Sequence, residues 1–171
     1  MTSHGVGKTL HRDEPAYANF QFGRFQFGRR NRILVYMNAS LSPAALRVFL
    51  VDHAAAVRRR IALLVGAIRG VDVVGEAEDG HGAWSHIRRC QADVVIVDLR
   101  LADGSGLDLI GMLSKAAPRV VTIVLTNHSA PAFREACATA GADYFFDKTA
   151  EFDAACHVIE SLVRSRHAHP S

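Results

Sequence analysis

Four polar residues in this chain each close a short apolar run: Asp52 after RVFLV, Asp98 after DVVIV, Thr126 after VVTIVL and Lys148 after YFFD. Two carboxylates, a hydroxyl and an amine that met at one place would make a site for an oxyanion held with a divalent cation. Any one of them alone is ordinary, because Asp and Thr favour helix starts and turns. Four in order, each at the end of the same kind of run, point to a shared position in the fold.

Runs of β-branched and aromatic residues without alternation predict strands buried on both faces, as in a parallel sheet covered by helices. In such an open, doubly wound α/β sheet, ligands bind beyond the carboxyl ends of the strands, near the point where strand order reverses. All four polar residues stand at such ends. The spacing predicts strands over Arg47–Val51, Val71–Ala77, Asp93–Val97 and Val120–Leu125, with a short fifth strand before Lys148. The first helix should turn Val57, Ile61, Leu64 and Ile68 toward the sheet as one apolar stripe and end at Gly70. Asp79 and Gly80 start a second helix that runs to Cys90, and a third spans Leu107–Ala116, stopped by Pro118. The fourth begins at Pro131 and ends at Gly141, and the last carries Phe152, Ile159 and Leu162. The loop LADGSG, with Gly104 and Gly106, is free to take positive φ and lets the backbone turn tightly beside Asp98.

With 171 residues the chain can hold one domain with a full core and a short appendage. The formal charge is +3, and much of the excess lies in the first 32 residues, so the remainder is close to neutral and nucleic acid is not an expected partner. Residues 1–43 interleave Phe and Arg among polar residues, and FQFGR at 20–24 recurs at 25–29. They are expected to be a disordered N-terminal extension or an over-extended start ahead of Met37. Residues 44–166 are expected to fold, with 167–171 as a short polar tail. No stretch approaches the roughly 18 apolar residues of a membrane span, and no signal-peptide pattern opens the chain, so a cytoplasmic protein is expected. Cys90, Cys137 and Cys156 lack zinc-site spacing and read as reduced thiols, two of them half-buried in helices.

The segments VFLVDHAAAVRRRI, VVIVDLRLADGSGLDLI, VTIVLTNHS and AGADYFFDKT carry a resemblance. Over residues 46–166 the chain resembles the receiver domain of bacterial two-component response regulators. The resemblance implies a flavodoxin-like five-stranded parallel sheet, order 2-1-3-4-5, with five helices. It implies that Asp98 accepts a phosphoryl group from the phosphohistidine of a sensor histidine kinase or phosphotransfer protein, with Lys148 pairing one phosphoryl oxygen and Thr126 hydrogen-bonding another. The chemistry suits these residues, since phosphoryl transfer needs little beyond a nucleophile, positioning and charge neutralisation. It further implies a Mg²⁺ shell from Asp52, Asp98 and the backbone carbonyl of Arg100. Phe145 becomes the aromatic switch residue, swinging inward as Thr126 moves and changing the face of the last two helices and fifth strand.

One residue departs from the family pattern. Receivers usually follow Asp52 with a second acidic metal ligand, and here that position is His53. Mg²⁺ prefers hard oxygen ligands, so His53 is a poor ligand for it and weak Mg²⁺ binding is expected. Asp52 and Asp98 also supply one carboxylate fewer to attract a cation. Arg100 could place a compensating positive charge near the phosphoryl group, or simply face solvent.

The leading expectation is a stand-alone response regulator in phosphorelay signalling, not an enzyme. Its output would run through a downstream protein target, because no further domain follows the last helix in this sequence. A homodimer through the fourth and fifth helices stays open. The alternative is a phosphate-independent interaction module in which His53 has cost the site its metal.

Overall fold

The computed structural model describes residues 45–168. Residues 1–44 and 169–171 lie outside the described residues, and with them the expected N-terminal extension and most of the polar tail.

Strands and helices alternate as the apolar runs predict. In chain order they are β1 (Leu46–Val51), α1 (Ala55–Gly66), β2 (Val71–Ala77), α2 (Gly80–Arg89) and β3 (Val94–Val97). A two-residue hairpin of β4 (Arg100–Leu101) and β5 (Gly104–Ser105) leads into α3 (Gly106–Ala116), then β6 (Val121–Thr126), α4 (Pro131–Ala140), β7 (Tyr144–Asp147) and α5 (Phe152–Ala168). The five main strands are parallel in the order β2-β1-β3-β6-β7, which is the expected 2-1-3-4-5 once the hairpin is set aside. The last helix continues two residues past its expected end, to Ala168.

Helices cover both faces, which is why the strands need no alternation. On one side Phe49, Val95 and Val124 pack against Ile87 of α2, Leu109 and Leu113 of α3 and Cys137 of α4. On the other, Val48, Ile96 and Ile123 meet Ile61 and Val65 of α1 and Ala155, Ile159 and Val163 of α5. Burying each such large aliphatic side chain contributes roughly 1.5–3 kcal/mol. Val48 and Phe49 flank a bulge against β2, and Gly75 opposite leaves room for the Phe49 ring, whose nearest carbon a Cβ would approach to 2.6 Å.

The α1 stripe differs from expectation. Val57 and Leu64 are 38 % and 44 % exposed, whereas Arg58, Ile61 and Val65 are buried. The buried face of the helix thus runs through Arg58, Ile61 and Val65, and Arg58 reaches internal partners from it. Its Nε donates to Glu76 of β2 at 2.9 Å and its Nη1 to the carbonyl of Asp52 at 2.5 Å. Glu76 itself is 2 % exposed, so each charge supplies the partner that burial demands of the other.

The helix ends follow local chemistry. Asp79 caps α2 by accepting from the Gly82 N–H. Gly141 closes α4 with φ 101°, a conformation few other residues take without strain. Pro131 stands in the first turn of α4, as expected. The three cysteines are free. Cys137 is buried in α4, while Cys90, at the end of α2, and Cys156, in α5, are half-buried, and burial pushes all three thiols up.

Candidate functional site

Parallel pairing carries the four polar strand ends to one rim. The Asp52 N–H donates to the Ala77 carbonyl at 3.1 Å and the Asp98 N–H to the Val51 carbonyl at 2.9 Å, so both aspartates extend the central ladders by one residue. Thr126, at the end of β6, pairs with Asp147 of β7, and the Lys148 N–H donates back to the Thr126 carbonyl at 2.9 Å. Asp147 fixes the turn after β7 by accepting from the N–H groups of Thr149 and Ala150. The Ala150 N–H first, then the Ser129 side chain and the Thr149 N–H, hold its carboxyl below the usual carboxylate range.

Lys148 bridges the two aspartates. Its Nζ donates to Asp52 Oδ2 at 2.6 Å and to Asp98 Oδ2 at 2.7 Å. All three side chains are at least nine-tenths buried, so the pairs act in a low-dielectric setting where charge-assisted bonds are strong. The second oxygen of Asp52 accepts from the Ala54 N–H at 2.8 Å, which also starts α1. The second oxygen of Asp98, Oδ1, is buried without a hydrogen-bond partner, and among the described residues no other buried side-chain polar atom is left in that state. Thr126 is fully buried, and its hydroxyl oxygen accepts from the His128 N–H at 3.2 Å.

His53 sits among the oxygens that would surround a cation. Its Nδ1 lies 3.0 Å from the Arg100 carbonyl and 3.8 Å from both Asp52 Oδ1 and Asp98 Oδ2. Since a carbonyl can only accept, Nδ1 is the donor in this contact. One ligand atom from each of Asp52, His53 and Asp98 falls within 4.8 Å of the others, close enough to share a metal ion. The Arg100 residue is exposed, so its backbone and not its side chain is what the structure brings to this cluster.

The hairpin after Asp98 is held tightly. Gly104 takes φ 138°, as expected, but Gly106 is not among the residues of positive φ. Glycine is needed there for a different reason: a Cβ would stand 2.2 Å from the Asp98 carbonyl oxygen. Asp103 ties the hairpin to α2 by accepting from the Gly80 and His81 N–H groups, each at 3.0 Å. Its partial burial pushes the carboxyl up, but these donors outweigh that and leave it below the usual range.

Phe145 is buried on β7, beneath Arg134 of α4. Arg134 also donates to the Phe145 carbonyl at 2.9 Å and to Glu151 at 3.2 Å, and Glu151 accepts in turn from the Asp147 N–H. The sequence reading found neither this bracket nor the Arg58–Glu76 pair. A signal for the second existed: Arg58 shares the i, i+3, i+7 spacing of Ile61 and Val65, and Glu76 is, with Asp72, one of two charges in an otherwise apolar strand. Nothing in the spacing of Arg134 and Phe145 marks them as neighbours.

Comparison with known proteins agrees with this architecture. A family model described as the response regulator receiver domain matches residues 48–160. The DNA-binding transcriptional activator DevR/DosR of Mycobacterium tuberculosis is 37 % identical over 84 residues, 49 % of this chain and 39 % of its own length. The transcriptional regulatory protein UhpA of Salmonella typhimurium is 34 % identical over 117 residues, 67 % of this chain and 58 % of its own. This chain therefore spans only part of these relatives. A two-component response regulator of the LuxR family from Aurantimonas sp. superposes with a TM-score of 0.66 at 26 % identity, covering 71 % of this chain and 87 % of that one. The signal receiver domain of the putative response regulator NarL from Mycobacterium tuberculosis shares the fold, with a TM-score of 0.64 at 22 % identity over 70 % of this chain and 97 % of that one. With the family match spanning most of the chain, and the strand order and clustered strand ends described above, this chain belongs to the response regulator receiver domain family.

Proposed function

We propose that the chain is a phosphoacceptor in a phosphorelay, taking a phosphoryl group on Asp98 from the phosphohistidine of a sensor histidine kinase or phosphotransfer protein. The observation that carries this reading is the buried, unpartnered Oδ1 of Asp98 beside an Oδ2 held by Lys148. In the transfer, Oδ1 forms a bond to phosphorus as the bond from phosphorus to the donor's ring nitrogen breaks. The electron pair stays on that nitrogen, and the product is an acyl phosphate on Asp98. Lys148 can neutralise the transferred group, and the Thr126 hydroxyl, whose oxygen accepts from the His128 N–H, still has its proton to donate to it.

The residues present fit Mg²⁺ poorly. The oxygen donors of the cluster are Asp52, Asp98 and the Arg100 carbonyl, two carboxylates in all, and its fourth donor is the Nδ1 of His53. An imidazole stands where a hard oxygen ligand would suit that ion better. Weak Mg²⁺ binding belongs to this proposal.

Output is proposed to run through the surface of α4, β7 and α5, where Phe145, Arg134 and Glu151 interlock. A downstream protein would read a changed arrangement there. Acting as acceptor and switch, the chain would not itself be an enzyme.

The His53 contact with Arg100 favours a second reading, a phosphate-independent interaction module. Intact-protein mass after incubation with acetyl phosphate, with and without Mg²⁺, separates the two on wild type, Asp98→Ala and His53→Asp. An adduct on wild type that is absent from Asp98→Ala supports the phosphoacceptor. No adduct on wild type with a clear one on His53→Asp favours the second.

A further inference from the structure

We infer that Asp52, His53 and Asp98 form a binding site for a borderline divalent transition ion of the Co²⁺, Ni²⁺ or Zn²⁺ class in preference to Mg²⁺. The site is the one proposed above to take a phosphoryl group, but metal selectivity does not require that reading to hold.

Three observations carry the inference. First, the donor set is mixed: two carboxylates, the Arg100 carbonyl and one imidazole nitrogen. Second, the spacing suits direct ligation. Adjacent ligands around an octahedral ion with bonds of about 2.1 Å lie about 3.0 Å apart and opposite ones about 4.2 Å apart, and around a tetrahedral ion about 3.4 Å apart. The contacts of His53 Nδ1, 3.0 Å to the Arg100 carbonyl and 3.8 Å to each aspartate oxygen, fall within that range. Third, the Asp98 side chain is more than nine-tenths buried, and its carboxylate has capacity left for a cation: Oδ2, near His53, is shared with Lys148, while Oδ1 has no hydrogen-bond partner.

The nitrogen decides which ion. Mg²⁺ gives up oxygen ligands reluctantly, whereas imidazole suits zinc, nickel and their neighbours, whose affinities for nitrogen sites rise along the first transition row. Nδ1 donates to the Arg100 carbonyl here, but a neutral imidazole can carry its proton on Nε2 instead. That tautomer presents the Nδ1 lone pair to the same group of oxygens, exchanging one hydrogen bond for a metal bond. His53 is the exposed member of the cluster and Asp52 and Asp98 its buried members, so an ion would enter from the solvent side past the imidazole.

The test uses the full chain, freed of metal with a chelator and titrated separately with CoCl₂ and MgCl₂ by calorimetry. Wild type is compared with His53→Asp, which restores an oxygen ligand, His53→Gln, which removes the ring nitrogen, and Asp52→Ala. Other histidines are common to all four proteins, so ions bound elsewhere cancel in the comparison. The expected result is a Co²⁺ to Mg²⁺ affinity ratio at least about tenfold higher in wild type than in His53→Asp. Co²⁺-shifted imidazole resonances from this site should be present in wild type and absent from His53→Gln. Equal ratios in wild type and His53→Asp, shifted resonances that survive in His53→Gln, or Co²⁺ binding unchanged in Asp52→Ala would each overturn the inference. None of these readouts involves phosphoryl transfer, so a missing acetyl phosphate adduct would sink the phosphoacceptor reading and leave this result standing.

Discussion

The guanidinium carbon of Arg134 lies 4.5 Å from the centroid of the Phe145 ring, while Nη1 of the same side chain donates to the Phe145 carbonyl at 2.9 Å. One residue of α4 thus grips both the ring and the backbone of a β7 residue. Arg134→Ala should cost roughly 1–2 kcal/mol, the sum of an exposed cation–π contact and one hydrogen bond. Its pair with Glu151 adds little, since both side chains are largely in solvent. The loss should be local: β7 amides should exchange faster with solvent while those of β1 and β3 keep their protection. Unchanged β7 exchange would mean that Arg134 does not restrain Phe145.

Lys148 is the shared counter-ion of two buried carboxylates. Lys148→Met should therefore destabilise the fold by about 3–5 kcal/mol, because it strands the charges it neutralised. Adding Asp98→Asn removes one of those charges and should recover part of the loss. Urea unfolding of the single and double variants checks the order, with equal slopes showing that stability and not compactness has changed.

Gly106 and Gly111 both lie in α3 and should respond to alanine with opposite signs. A Cβ at Gly106 meets the Asp98 carbonyl at 2.2 Å, backbone that cannot easily give way, so Gly106→Ala should cost about 1–3 kcal/mol. A Cβ at Gly111 meets nothing within 4 Å, so Gly111→Ala should stabilise by about 0.4–1 kcal/mol. Thermal unfolding of the two variants side by side is sufficient.

Asp103 gives a pH signature. The folded state holds its carboxyl below the usual range, so it gives up its proton more readily folded than unfolded. The stability it contributes is complete above the ordinary carboxylate pKa of about 3.9 and disappears as pH falls through the lower folded value. Asp103→Asn should lower the urea midpoint at neutral pH, and its gap from wild type should narrow as pH falls below about 4. A gap that stays constant through the acid range would show that the charge contributes nothing.

Much of the fold was legible because burial on both faces leaves a strong mark: VFLV, VVIV, TIVL and YFF are each continuous apolar runs, and each became a strand. The polar residue after each run was legible for the same reason, since parallel strands end on one rim. What the pattern could not convey was side-chain reach. The α1 stripe was drawn from apolar spacing alone, which gives no sign that Arg58 is long enough to cross to Glu76 and the Asp52 carbonyl. Gly106 was correctly singled out beside Asp98, but for φ and not for the close approach that requires it. The Arg134 bracket joins residues on different elements, and contacts of that kind leave no periodic trace.

Asp52 and Asp98 follow β1 and β3, which are neighbours at the centre of the sheet, whereas Lys148 follows β7, an edge strand held by four paired residues. A chain synthesised from its N-terminus therefore produces the two carboxylates about fifty or more residues before the ammonium that reconciles them. During that interval the nascent sheet carries an unmatched acidic pair at its rim. Docking of the edge strand is then what neutralises that pair, so a nascent chain halted before residue 148 would have every central strand and still lack a finished centre.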